Sequence, residues 1–328
     1  MAFSGKMTAA DHADLLAKIT AFITGDPSVP GRDWTVARQD ALEWGPATVF
    51  RNTGLAGTEE VYVGLYAATK YDGISGGLVC KVYKLFNNGL VSDGGTNFLD
   101  TTIRNGSGQD KTHSLVPCWN NEISLWIWSN KARIIVVVNC NNLYANAYLG
   151  QLKRLCLPSE NPFPLACFTD GYTSLWEKET LYGSITTGAQ KDADSGRRSL
   201  IFTRRGVYPF SIYDNKSYYQ SCHQICNPHG IWTSNFFMIP TTNYGVGSDS
   251  MKIDQGKKGS IGLFYGEKPR ILLPVYVGTP NEIIGEMFGV YWIPDKYISP
   301  EDEINSRYVI FPDVSRVEWH SFMCIGDE

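Results

Sequence analysis

The longest purely aliphatic stretch in the chain is the run from Ile134 to Val138, far short of the roughly 20 apolar residues that cross a bilayer as a helix. No basic segment followed by an apolar run opens the chain at Met1 to Met7, so no secretory leader is predicted. These absences predict a soluble chain made in the cytoplasm, with no membrane partner. Charge is also scarce: Asp, Glu, Lys and Arg make up 19% of residues, and the formal net charge is −4. A surface that neutralises phosphates needs a basic excess, so no direct nucleic-acid partner is predicted. Walker A, HExxH and dinucleotide-binding patterns are missing, as are a fixed-period repeat and any low-complexity tract.

What the chain does have is aromatic and glycine content. Aromatics reach 13% and include 18 Tyr, beside 32 Gly, in 328 residues. This composition suits strands, turns and large contact surfaces rather than long solvated helices. The length allows more than one core. One helix is predicted: Thr8 can cap it with Asp11 three residues on, and Leu15, Leu16, Ile19, Phe22 and Ile23 follow at helical spacing before Gly25 and Pro27. It is read either as packed on its own sheet or as a terminal arm that docks on a neighbour. From Trp34 to Phe86 the chain reads as strands, with Val61, Val63 and Leu65 facing one way and Tyr62 and Tyr66 the other. Residues 87–113 are rich in Gly, Asn and Ser and read as an exposed loop. Short strands with turn residues between them return after Pro164. The predicted fold is mainly β: two sandwich-like or barrel-like antiparallel domains with a short N-terminal helix. The predicted division is a helix and arm over 1–30, a β domain over 31–165 and a second β domain over 166–328. One large β domain with inserted loops is the alternative.

The most informative segment runs from Glu122 to Leu165. Leu125, Ile127 and Ile134 to Val138 alternate with or follow Trp126 and Trp128, which predicts two strands meeting around Ser129-Asn130-Lys131. The second strand is apolar on both sides, so it needs cover on both faces. The pattern Trp126-x-Trp128-Ser-Asn-x-x-Arg133-Ile-Ile-Val-Val-Val138, then Tyr144-x-x-x-Tyr148-Leu-Gly, then Leu157-Pro-Ser-Glu-Asn-Pro-Phe-Pro-Leu165, resembles a segment of uncharacterised virion structural proteins of tailed bacteriophages. Ser129 and Ala132 stand where that family often has Ala and Arg, and Cys140 and Cys156 fall where it has no cysteine. The resemblance implies a structural component of the neck, collar, tail or baseplate, made in the host cytoplasm and located in the virion. Its partners would be copies of itself in a ring and other virion proteins. The eight cysteines are thiols in a cytosol; a particle released by lysis meets an oxidising medium in which disulfides can form.

Gly73-Ile-Ser75-Gly76-Gly77 matches the nucleophile-elbow pattern, but a strand rather than a helix follows, so it reads as a hairpin turn. Asp192-Ala-Asp194 begins like a calcium loop, yet Arg197 and Thr203 occupy the positions that need glycine and glutamate. Cys222, His223, Cys226 and His229 carry donors that zinc selects. Their spacing lacks a second separated pair, leaving zinc, a disulfide and plain packing as readings. Tyr172, Trp176, Glu177, Glu179 and Tyr182 combine ring faces with carboxylates, as a glycan contact does. On a strand the two glutamates would lie roughly 6 to 7 Å apart, near a glycosidase separation; an ordinary exposed strand is the plainer reading. Arg197, Arg198, Arg204 and Arg205 flank Ser199 to Thr203. They read as charge protection of a sheet edge or as an inter-subunit contact with an acidic surface such as Glu301-Asp302-Glu303. Trp126, Trp128, Tyr144 and Tyr148 are candidate interface anchors, or core. No catalytic residue and no cofactor is predicted. The functional expectation is a non-enzymatic virion component with symmetric oligomeric contacts; the alternative is a receptor- or glycan-binding module of the tail or baseplate.

Overall fold

The computed structural model describes residues 1–43, 45–71, 74–83, 114–118, 122–140, 143–155, 157, 165–169, 199–203, 206–210, 273–279, 282–293, 301, 303–304, 308–312 and 322–326. The chain opens with β1 (Ala2–Phe3), β2 (Met7–Ala9) and α1 (His12–Ile23). Next come β3 (Thr35–Leu42), β4 (Gly45–Asn52), β5 (Val61–Tyr71), β6 (Ile74–Tyr83) and β7 (Ser114–Pro117). The central segment forms β8 (Ile123–Ser129), β9 (Arg133–Cys140), β10 (Leu143–Gln151), β11 (Lys153–Arg154) and β12 (Leu165–Thr169). The remainder gives β13 (Ser199–Thr203), β14 (Gly206–Phe210), β15 (Leu273–Thr279), β16 (Glu282–Ile293), β17 (Glu303–Ile304), β18 (Tyr308–Pro312) and β19 (Phe322–Gly326). The described part is therefore mainly β with one helix, and every strand pairing in it is antiparallel.

The strands form three sheets. The central one runs β1-β8-β9-β10-β12-β13-β14, with β2 also on β8; the second runs β3-β4-β5-β6-β7; the third runs β11-β16-β19-β18-β17, with β15 also on β16. Among the described residues none of them closes into a barrel. Among the described residues strand pairing crosses residue 165 twice, since β12 pairs with β10 and β16 pairs with β11.

Two-residue periodicity explains how the layers stack. On β8, β9 and β10 one parity carries Ile123, Leu125, Ile127, Ile134, Val136, Val138, Ala145, Ala147 and Leu149, all at most 1% exposed. This face packs against Phe50, Val63, Leu65 and Leu78 of the second sheet and against α1 in one core. The other parity carries Trp126, Trp128, Ile135, Val137 and Tyr148, also buried, and Phe311 of the third sheet packs on the two indoles. Strand β9 is thus covered on both faces, as its unbroken apolar run requires. The tyrosine-bearing face of β5 is buried as well as its valine face, with Tyr62 and Tyr66 at 6% and 1% exposure.

Local signals account for the connections. Asn130 ends β8 by accepting at its side-chain oxygen from the backbone N–H groups of Ala132 (2.8 Å) and Arg133 (2.9 Å), an Asx-type turn. Trp34 locks the turn from outside, its indole N–H donating to the Asn130 carbonyl at 2.9 Å. Gly31 has φ +95°, and a Cβ there would lie 2.1 Å from the Ser129 carbonyl oxygen, so only glycine fits against the hairpin. The pair Tyr71↔Ile74 closes the β5–β6 hairpin and Ser75 pairs with Lys70 inside it; Ser75 belongs to a strand.

One prediction is corrected. Thr8 lies in β2, opposite Ser124 of β8, four residues before the helix begins at His12, too far away to cap it. The cap is Asp11, whose carboxylate accepts from the Asp14 N–H at 2.8 Å. Helix α1 buries Leu15, Leu16, Ile19 and Ile23 in the chain's own core, so the apolar face that a docking arm would offer to a neighbour is already covered.

Candidate functional site

The face of β8 and β10 that meets the third sheet carries the densest set of aromatic and charged contacts among the described residues. Because β1 pairs with β8 in the register Phe3↔Trp128, the Phe3 ring stacks on the Trp128 indole, with centroids 4.5 Å apart and an interplanar angle of 11°. Phe311 comes from β18 and meets Trp126 and Trp128 edge-on at 5.1 and 5.9 Å. Tyr144 lies 6.0 Å from the same ring. Edge-to-face pairs of this kind add about 0.5–1.5 kcal/mol beyond burial.

A charged latch closes this aromatic floor at its rim. The Lys6 ammonium sits 5.1 Å above the Trp126 ring and donates to Glu301 Oε2 at 2.7 Å, while the Tyr144 hydroxyl donates to Glu301 Oε1 at 2.7 Å. Glu301 is held with φ +68°, a left-handed conformation that is uncommon for a residue with a side chain. Its backbone N–H donates to Ile310 O at 2.8 Å, which fixes it beside β18. Burial pushes the Glu301 carboxyl up, but hydrogen bonds from Lys6 and Tyr144 and the Lys6 charge together hold it below the ordinary carboxylate value. Burial and the bond to Glu301 push the Tyr144 phenol well above its usual range. Carboxylate and phenol are therefore each fixed in one protonation state around neutrality. That arrangement suits fastening, because proton transfer needs a group poised near the working pH. The latch ties the N-terminal segment to the third sheet.

A second buried contact lies beneath it. Arg133 is 1% exposed; its guanidinium carbon lies 5.9 Å from the Tyr148 ring centroid and Nη2 approaches Met1 Sδ at 2.7 Å. Gly289 of β16 has φ +67°, and a Cβ on it would meet Arg133 Nη2 at 2.5 Å and the Gly326 carbonyl oxygen at 2.6 Å. The third sheet therefore closes over the arginine only where glycine stands. Tyr148 donates its hydroxyl to Gln151 O at 2.6 Å and accepts from the Phe288 N–H at 3.2 Å, joining the two sheets a second time.

Of the candidate interface anchors, Trp126, Trp128 and Tyr148 are 3%, 0% and 0% exposed and are occupied by contacts within the chain. Tyr144 alone keeps partial exposure. Glu301, read as part of an acidic surface for arginine, is engaged by Lys6 and Tyr144. Arg197, Arg198, Arg204 and Arg205 lie outside the described residues, although the strands they flank pair as the hairpin β13–β14, with β14 at the end of the central sheet. Cys222, His223, Cys226 and His229 also lie outside them, as do Tyr172, Trp176, Glu177, Glu179 and Tyr182. Among the described residues no three His, Cys, Asp or Glu side chains come together to hold a metal ion, and no helix is long and apolar enough to cross a membrane.

Cys80, Cys118, Cys140 and Cys167 are buried thiols in no disulfide. They line the core between the central and second sheets. Burial, with the neighbouring thiols adding to it, pushes Cys80 and Cys118 well above the usual thiol range, so they act as small apolar side chains. Lys6 and Phe311 carry no signal in the sequence, and Arg133 enters there only within the resemblance pattern. Arg133 carried a readable signal, a lone charge at the head of an otherwise apolar buried strand. Neither protein-family models nor curated proteins give a match to this chain.

Proposed function

We propose that this chain is a non-enzymatic structural component of a tailed-phage virion, working in the neck, collar or tail through symmetric contacts with copies of itself and with other virion proteins. The observation that carries the reading is where the resemblance falls. Residues 122–165 supply β8, β9 and β10 and reach the start of β12, and both flanking layers pack on these strands. A family that shares this segment would share the part of the molecule on which every layer is built. In this reading the two sandwich-like units are two sandwiches with a common central sheet. Such a block, held by buried rings and a charge-satisfied latch, suits a rigid joint rather than a moving active site. The net charge of −4 fits contacts with protein rather than with the packaged genome.

The test is the solution mass of the full chain by light scattering, with and without reductant, backed by electron microscopy of any large species. A discrete ring-sized oligomer is expected. A monomer that binds bacterial surface polysaccharide would replace this reading with the receptor- or glycan-binding one.

A further inference from the structure

Strand β3 is the end strand of the second sheet, with β4 as its one neighbour among the described residues. Val36, Ala37, Gln39 and Ala41 are exposed, and Arg38, Asp40 and Leu42 are partly so. An edge strand offers unpaired backbone N–H and C=O groups to another strand. What distinguishes β3 is its order of side chains: Val36-Ala37-Arg38-Gln39-Asp40-Ala41-Leu42 reads apolar, small, cation, amide, anion, small, apolar, symmetric about Gln39 with the charge reversed.

We infer that β3 pairs antiparallel with β3 of a second copy of this chain, about a two-fold axis at Gln39. In that register Gln39 meets Gln39 of the second copy. Arg38 faces Asp40 of the second copy, and Asp40 faces its Arg38. Antiparallel pairing sets residues of one parity opposite each other on one face, so all four charged groups share a face. Arg38 and Asp40 already stand on the same side of the strand, Nε to Oδ2 at 2.6 Å, in register with Val49 and Ala47 of β4. Pairing turns each ion pair into half of a square with alternating signs. A two-fold contact requires a patch complementary to itself, and opposite charges directly across an antiparallel pair stabilise it where like charges oppose it. The usual charged protection of an edge repels an incoming copy of itself; this arrangement attracts one. The register irregularity between Val36 and Arg38 falls at Ala37, at one end of the symmetric set, so the regular part of the pairing is Arg38, Gln39 and Asp40 with their symmetry mates.

The pairing is independent of the ring reading. Rings are built from heterologous contacts, whereas a two-fold β3 contact joins single copies, or whole rings, in pairs. The experiment uses the full-length chain and native mass spectrometry at increasing concentration. The wild type is expected to show a doubled species. Arg38→Asp and Asp40→Arg, which each set like charges across the axis, are expected to weaken the doubling at least tenfold. Mixing these two variants restores complementarity and is expected to restore a mixed pair, as is the double swap Arg38→Asp/Asp40→Arg within one chain. Circular dichroism confirms that each variant is folded, and the rescue by mixing excludes damage to the fold as the cause. Absence of a doubled species in the wild type, indifference of it to either single change, or failure of the mixture to pair would each overturn the proposal. A ring without doubling would reject the pairing and leave the ring reading intact.

Discussion

At the scale of single residues, His12 is one source of acid sensitivity. It is 3% exposed, neither ring nitrogen has a hydrogen-bond partner, and burial lowers its pKa against the opposing influence of Asp11. A base with a depressed folded pKa is protonated in the unfolded chain first. Stability is therefore fully present above the ordinary histidine value, about 6.5, and lost as pH falls below it. Glu301 acts in a lower window: its folded value is depressed below the ordinary carboxyl value of about 4.5, so its contribution is present above that value and lost as pH falls further. Urea unfolding midpoints measured from pH 8 to about pH 3 should decline below about pH 6.5. His12→Leu should flatten the first part of that decline and Glu301→Gln the last part. A His12→Leu profile parallel to the wild type would show that His12 is not the sensitive group.

At the scale of elements, β9 departs from the half-buried strand in which only one parity matters. Ile134 and Ile135 point to opposite faces and both are 0% exposed, the first toward the second sheet and α1, the second toward the third sheet. Ile134→Ala and Ile135→Ala should therefore each cost about 2–5 kcal/mol in urea unfolding. A value below about 0.5 kcal/mol at Ile135, as at a surface site, would mean that the third sheet does not cover this strand. The need for cover on both faces was legible in the sequence because five aliphatic residues in a row leave no polar side. The element that provides it was not legible, since Phe311 lies far along the chain and no local pattern points from one to the other. The helix shows the same division. The spacing of Leu15, Leu16, Ile19 and Ile23 marked α1 correctly, but its cap was misplaced from Asp11 to Thr8. Both are capping residues, and pairing of Met7–Ala9 with β8 decides between them.

At the scale of the whole molecule, the first nine residues hold the layers together. They contribute β1 and β2 to the central sheet, the Phe3 ring on Trp128 and the Lys6 end of the latch. Deleting residues 1–9 should uncover Trp128, shift the tryptophan emission to the red, and lower the thermal midpoint by more than loss of a surface ion pair, whose worth is about 0–1 kcal/mol. An unchanged emission maximum would show that this segment is dispensable to the layers. Nothing in the sequence announced the role. The opening residues carry no strong strand pattern, and Lys6 finds its carboxylate 295 positions away. The strands of the central hairpin could be read from their own residues; the latch arises only once three sheets are in place.

The latch also bears on the order in which the chain is made. The amino terminus leaves the ribosome first, yet its strand partner is β8 and its charge partner is Glu301, near the opposite end. At synthesis rates of about 5–20 residues per second, Lys6 waits roughly 15–60 s before Glu301 exists. Phe3 and Met7 need only β8, made far earlier, whereas Lys6 carries its half of the latch unused until Glu301 is made. The latch closes only at the end of this order, although its Lys6 half is made long before its Glu301 half.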